Sequence, residues 1–262
     1  MTDNKVTALV LAGVRPGGDP LASAYDVPHK AAVPVAGRPM GEWVVDALRD
    51  VPYVGRILVA ADWRTLGPAV PLLARHRVVP VAAMPTIADS VEAVLNAVPP
   101  PILITTVDHP LLTPAMIGEF LDKVPADADA AIAVARREVV QAAFPRARRA
   151  YVRFRGARVT GCNLFLLASS RARAAVRFWS KVDDSSDPAA MVGALGMGSL
   201  MLWWAGMLSI DGAAQRLSHQ VGARLAVVEM SQAEAAIDVD QPEDLRLADA
   251  VLSQRGAYWA SG

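Results

Sequence analysis

Between Thr7 and Ala135 the chain alternates uninterrupted apolar runs with segments whose apolar residues recur at helical spacing. Thr7–Ala12, Ile57–Ala61, Val78–Ala82, Ile102–Val107 and Ala130–Ala135 read as strands buried on both faces. Pro39–Arg49 carries Trp43, Val44, Ala47 and Leu48 on one helical face, and Ile87–Val98 carries Val91, Val94, Leu95 and Val98. Thr113–Val124 reads as a helix with Thr113 as N-cap and Pro114 at its first position. Continuous apolar strands alternating with helices predict an α/β fold: a three-layer, mostly parallel sheet with helices on both faces. Such sheets bind ligands beyond the carboxyl ends of their strands, so the loops after Ala12 and Val107 are where chemistry is expected.

The second half is less regular. Tyr151–Phe154 and Asn163–Leu167 read as strands around a turn at Gly156, Ser170–Lys181 and Gly212–Val221 as helices, and Leu225–Met230 and Ala236–Val239 as strands. Pro242–Ser253 closes as an amphipathic helix with Glu243 and Asp244 in its first turn, where the helix dipole favours negative charge. With no internal repeat and no Pro/Gly/Ser linker, residues 1–262 read as a single domain with a helical insertion at about 170–222. Pro188–Ile210 holds no charged residue. Its glycines break it up, so it reads as two short buried helices, with membrane-surface contact as the alternative. Val6–Val14 lacks the flanks of a signal peptide and reads as a buried first strand. One cysteine, Cys162, allows no disulfide framework and fits a cytoplasmic location. Lys+Arg and Asp+Glu are both 26, which removes the electrostatic case for nucleic acid. The cluster Arg146, Arg148, Arg149, Arg153, Arg155 and Arg158 reads as a solvated hairpin. Nothing in the composition selects an oligomeric state.

Three segments carry chemistry. From Leu11 to Met40, a buried strand enters a loop with Gly13, Gly17 and Gly18, and Arg15 and Lys30 supply positive charge. Glycines let backbone amides turn toward an anion and let a phosphate approach closely. At Ile102–Pro114, Asp108 stands at the carboxyl end of a central strand, suited to a divalent cation that also binds phosphate oxygens, or else to capping the turn before Pro110. At Ala236–Leu245, Asp238 and Asp240 share one face of an extended segment. Asp238 offers a second metal carboxylate, whereas Asp240 is placed to cap the following helix.

Together and in this order, these segments resemble the MobA-like nucleotidyltransferases, which have a glycosyltransferase-A-like sheet. The resemblance lies in LAG at 11–13, HKAAVPVAGRPM at 29–40, Asp108-His109-Pro110-Leu111, and Asp238 before Pro242–Leu245. It implies a Mg²⁺-dependent enzyme, with Mn²⁺ possible. That enzyme would move a nucleoside monophosphate from a nucleoside triphosphate to a small phosphorylated acceptor and release pyrophosphate. By the same resemblance, Leu11, Ala12, Gly13, Gly17 and Gly18 hold the nucleotide, with Asp89 and Ser90 brought toward it. Lys30 contacts the phosphates, and Arg15 stands in for a loop arginine that the family places elsewhere, Val14 occupying the position of its second glycine. Asp108 and Asp238 hold the metal, and Gly161 and Asn163 fall near the acceptor. Alternative readings are a glycosyltransferase using a nucleotide-sugar donor and a non-catalytic nucleotide-binding module. His29 and His109, each beside a candidate site residue, could with Asp108 hold Mn²⁺ or Zn²⁺ instead.

Overall fold

The computed structural model describes residues 5–14, 17–70, 78–180, 192–193 and 197–260, without the side chains of 256–260. The strands are β1 (Val6–Ala12), β2 (Pro34–Val35), β3 (Arg38–Pro39), β4 (Val54–Ala61), β5 (Val79–Ala82), β6 (Ile102–Thr106), β7 (Ala130–Arg136), β8 (Val152–Phe154), β9 (Ala157–Leu167) and β10 (Leu225–Met230). The helices are α1 (Pro20–Ala24), α2 (Met40–Arg49), α3 (Trp63–Ala69), α4 (Ile87–Ala97), α5 (Pro114–Lys123), α6 (Arg137–Ala143), α7 (Arg173–Trp179), α8 (Met197–Trp204), α9 (Ile210–Val221) and α10 (Pro242–Ala260). The fold is α/β, with a mixed, mostly parallel sheet of order β10-β7-β9-β6-β1-β4-β5 and β8 on β9. Residues group into two compact units: Met1–Ala83 with Ile104–Gly118 and Ile237–Gly262, and Met84–Leu103 with Glu119–Ala236.

In the first unit, β1 runs parallel to β4 from Val6↔Val54 to Ala12↔Ala61, and β4 runs parallel to β5 from Leu58↔Val79 to Ala61↔Ala82. Ala8, Leu9, Val10 and Val59 are fully buried, so the apolar runs form strands because both of their faces are covered. Helix α2 turns Met40, Val44, Val45 and Leu48 inward and lies against β4 and a 3-10 turn at Lys30–Ala32.

In the second unit, β10 runs parallel to β7 from Leu225↔Ala130 to Met230↔Ala135, whereas β9 pairs antiparallel with both β7 and β8. The β7–β9 register slips between Ile132 and Val134, because Ile132 faces Phe165 while Val134 faces Gly161. Cys162, Asn163 and Leu164 therefore oppose Ala133 alone, and Asn163 takes up the excess at φ 48°. Asparagine tolerates that left-handed conformation better than most side chains.

Helices α7, α8 and α9 occupy the stretch between β9 and β10. Although α8 is apolar all round, it exposes Met197, Met201 and Trp204, so the expectation of burial there does not hold for this helix. A helix without a polar face can hide only the side that meets protein. Residues 188–191 and 194–196 of the uncharged segment lie outside the described residues. Among those described, no helix is long and apolar enough to cross a membrane.

Candidate active site

Lys30 is the centre of an acid-rich cluster in the first unit. Its side chain is 12% exposed, and Nζ donates to Asp108 Oδ2 at 2.8 Å and to Asp240 Oδ1 at 2.6 Å. Asp19 Oδ2 lies 4.0 Å from the same nitrogen. Burial alone would lower the lysine pKa, but the charges and hydrogen bonds of Asp108 and Asp240 outweigh it and hold the ammonium above its ordinary value.

Local structure explains each placement. Lys30 opens a 3-10 turn whose preceding residue, His29, is almost completely buried. His29 Nδ1 accepts from Ala31 N at 3.0 Å, which leaves Nε2 to donate to Ala12 O at 2.9 Å. This neutral imidazole ties the lysine turn to the end of β1. Burial, the largest influence, pushes the His29 pKa down. Asp108 follows β6, its Oδ1 accepting from Thr106 Oγ1 at 2.5 Å. Asp108 O accepts from Val239 N at 2.8 Å, and that one bond brings the 238–240 segment alongside. The expected strand Ala236–Val239 is not one: Ala236 ends a 3-10 turn and the residues after it are irregular, with no strand ladder among the described residues. Asp19 caps α1 by accepting from Leu21 N and Ala22 N through Oδ1. Gly41, at the start of α2, permits the close packing beneath. A Cβ there would meet Ala31 Cβ and Val107 Cγ2, each at 3.1 Å.

Lys30 and Asp108 are in direct contact. Asp238 is half-buried between the fully buried Ile237 and Val239, while Asp240, expected as a helix cap, is the partner on Lys30. The backbones of Leu11 and Ala12 are held by Val107 N and His29 Nε2. Gly17 and Gly18 adopt φ 97° and 86°, a conformation that requires glycine, with open space where a Cβ would point. Gly13 keeps an ordinary φ. Arg15 lies outside the described residues. Asp89 and Ser90 sit in the first turn of α4 in the second unit, where Thr86 caps Asp89 N. Ser90 Oγ accepts from Met84 N and donates to Thr86 O, which commits it locally. Asn163 sits in the β9 bulge of the second unit, and Gly161 pairs with Val134 beside it.

Sequence reading missed Asp19, Thr106 and Gly41 as parts of the site. Asp19-Pro20 carries a helix-start signal, which conceals a carboxylate with a second contact. The two ring nitrogens of His29 are both committed to backbone, so His29 could ligate a metal only by giving one up. Among the described residues, no group of three or more His, Cys, Asp or Glu converges as a ready metal cage.

A mostly parallel α/β sheet with charged residues beyond the ends of β1 and β6 is the architecture of the nucleotidyltransferases with a glycosyltransferase-A-like fold. The chain belongs to the MobA-like NTP transferase domain family, which residues 8–189 match. It is similar to a hypothetical transferase from Thermus thermophilus at 30% identity and TM-score 0.77, covering 92% of this chain and 99% of that one. CMP:2-keto-3-deoxy-manno-octonic acid synthetase complexed with CTP shares the fold at 17% identity and TM-score 0.56, covering 96% and 99%. So does 2-C-methyl-D-erythritol 4-phosphate cytidylyltransferase from Thermus thermophilus, at 20% identity and TM-score 0.54, covering 94% and 98%. No curated protein matches the chain significantly.

Proposed function

We propose that the chain transfers a nucleoside monophosphate from a nucleoside triphosphate to a phosphorylated small-molecule acceptor, releasing pyrophosphate, with Mg²⁺ as cofactor and Mn²⁺ as a substitute. The observation that carries this reading is the ring of Asp19, Asp108 and Asp240 around Lys30. Among the described residues, three carboxylates about one ammonium leave two negative charges in surplus, which suits a divalent, oxygen-seeking cation. Asp108 would hold it, with Asp238 or Asp240 as the second carboxylate. When bound, Mg²⁺ supplies charge neutralisation at the triphosphate oxygens.

Lys30 is oriented by Asp108 and by the more exposed Asp240, and exchange of Asp240 for a phosphate oxygen would bring its charge to the α-phosphate. An acceptor phosphate oxygen forms the new bond to the α-phosphorus as the bond to the pyrophosphate oxygen breaks. That nucleophile is already ionised near pH 7, so the site needs no general base. Its work is positioning and electrostatic stabilisation. The amides of Gly17 and Gly18, at φ 97° and 86°, would cradle phosphates beyond β1, and Leu11, Ala12 and Gly13 would lie beside the base.

Lys30→Ala and Asp108→Ala should each lower pyrophosphate release by roughly 10²-fold or more while leaving the circular-dichroism spectrum intact. Unchanged turnover in both variants would sink this mechanism. Release of a nucleoside diphosphate from a nucleotide sugar, without pyrophosphate, would point to the glycosyltransferase.

A further inference from the structure

The β8–β9 hairpin holds an arrangement that the transferase reading does not use. Arg153 on β8 and Arg158 on β9 are direct cross-strand partners, so their side chains leave the same face of the hairpin. Both are exposed, and neither has an ion pair among the described residues. Like charges placed opposite each other destabilise a strand pair. The two arginines line a cleft of about 450 Å³ together with Arg137, Glu138, Gln141 and Phe154. Arg137 sits at the start of α6, where its Nε donates to Gln141 Oε1 at 2.8 Å, which fixes the guanidinium beside the cleft. Among the described lining residues, three guanidinium groups against one carboxylate leave two positive charges in surplus around this space. A carboxylate ligand would cancel one of them, and a phosphate dianion cancels both. Guanidinium forks also match phosphate oxygens in pairs.

We infer that Arg137, Arg153 and Arg158 form a binding site for a phosphate group. It rests on the hairpin and α6 and does not depend on the transferase reading. A free phosphate compound and a lipid headgroup share this chemistry. The apolar segment that ends at Leu208 adjoins the hairpin, since Arg155 N donates to Leu208 O at 2.8 Å and Met207 is exposed.

The test is thermal unfolding of the full chain in inorganic phosphate against chloride at equal ionic strength. The melting temperature of the natural chain should rise with the logarithm of phosphate concentration. R153A/R158A should lose that rise and, in chloride, melt no lower than the natural chain, because the opposed charges are gone. Absence of a rise in the natural chain, or the same rise in the double variant, overturns the site. If the double variant does not fold, Arg158→Lys keeps the charge without the fork. It should weaken the phosphate response, and an undiminished response overturns the site. Sedimentation with phosphatidic acid vesicles but not phosphatidylcholine vesicles assigns the phosphate to a lipid, whereas a soluble response without vesicle binding assigns it to a free compound. Lys30→Ala, whatever its own melting temperature, should retain the part of the phosphate response and the vesicle binding that R153A/R158A loses, which separates failure here from failure of the transferase mechanism.

Discussion

Burial works against the charge on Lys30, and Asp108 and Asp240 more than offset it. A lysine whose folded pKa is raised contributes stability that is fully present below its unfolded value near 10.4 and is lost only as pH rises through the folded value. Nucleotide binding should therefore show no lysine titration between about pH 6 and 9. His29 behaves in the opposite sense. Its pKa is depressed by burial, so below about pH 6.5 the unfolded chain takes up a proton that the folded chain refuses. Stability should fall with decreasing pH there, by at most about 1.4 kcal/mol per unit from this group. His29→Gln should flatten that part of the urea-unfolding profile, and an unchanged slope would contradict the assignment. Asp108 was legible in the sequence as a charge just beyond an apolar strand, and Lys30 through the resemblance of residues 29–40 to the family pattern. Asp240 was legible only as a helix cap, since a cap and a long-range partner are the same residue type until the chain is folded.

The hairpin of β2 and β3 turns through Ala36 at φ 48° and Gly37 at φ 77°. Two consecutive positive φ values suit Asn-Gly, and alanine is strained at the first of them. Ala36 N donates to Asp249 Oδ1 at 2.5 Å, a bond that asparagine would keep. Ala36→Asn should stabilise the chain by up to about 1 kcal/mol in urea unfolding, and a loss would show that the turn depends on the alanine side chain.

On α5, Glu119 gathers Lys123 Nζ, Ser231 N and Gln232 Nε2 and so clamps the helix to the end of β10. Burial raises its pKa, but these donors outweigh burial and bring it down to about 2. Its contribution is thus complete above the ordinary glutamate value near 4.3 and is lost as pH falls toward 2. Glu119→Gln should cost about 1–3 kcal/mol at pH 7, with the gap to the natural chain narrowing by pH 3. An equal gap at both pH values would contradict this. Elements with long apolar periodicity, such as β1, β4, α4 and α5, were readable within a few residues. The short helices α1, α3 and α6 were not, since five to seven residues carry too little periodicity to stand out from loops.

At the scale of the whole molecule, the alternation of buried strands and helices defined the α/β class, and family membership follows from residues 8–189. The antiparallel β9 and its bulge were beyond sequence reading, because pairing direction is decided by distant partners. The balanced charge of 26 against 26 hides two local surpluses, acidic around Lys30 and basic in the arginine cleft. The acidic surplus is proposed to serve a metal–nucleotide complex. Thermal unfolding with ATP, GTP, CTP and UTP, each with and without Mg²⁺, tests this. One triphosphate should raise the melting temperature only when Mg²⁺ is present, and Asp108→Ala should abolish that rise. No shift with any of the four, or a shift that Mg²⁺ and Asp108→Ala leave untouched, would contradict the claim.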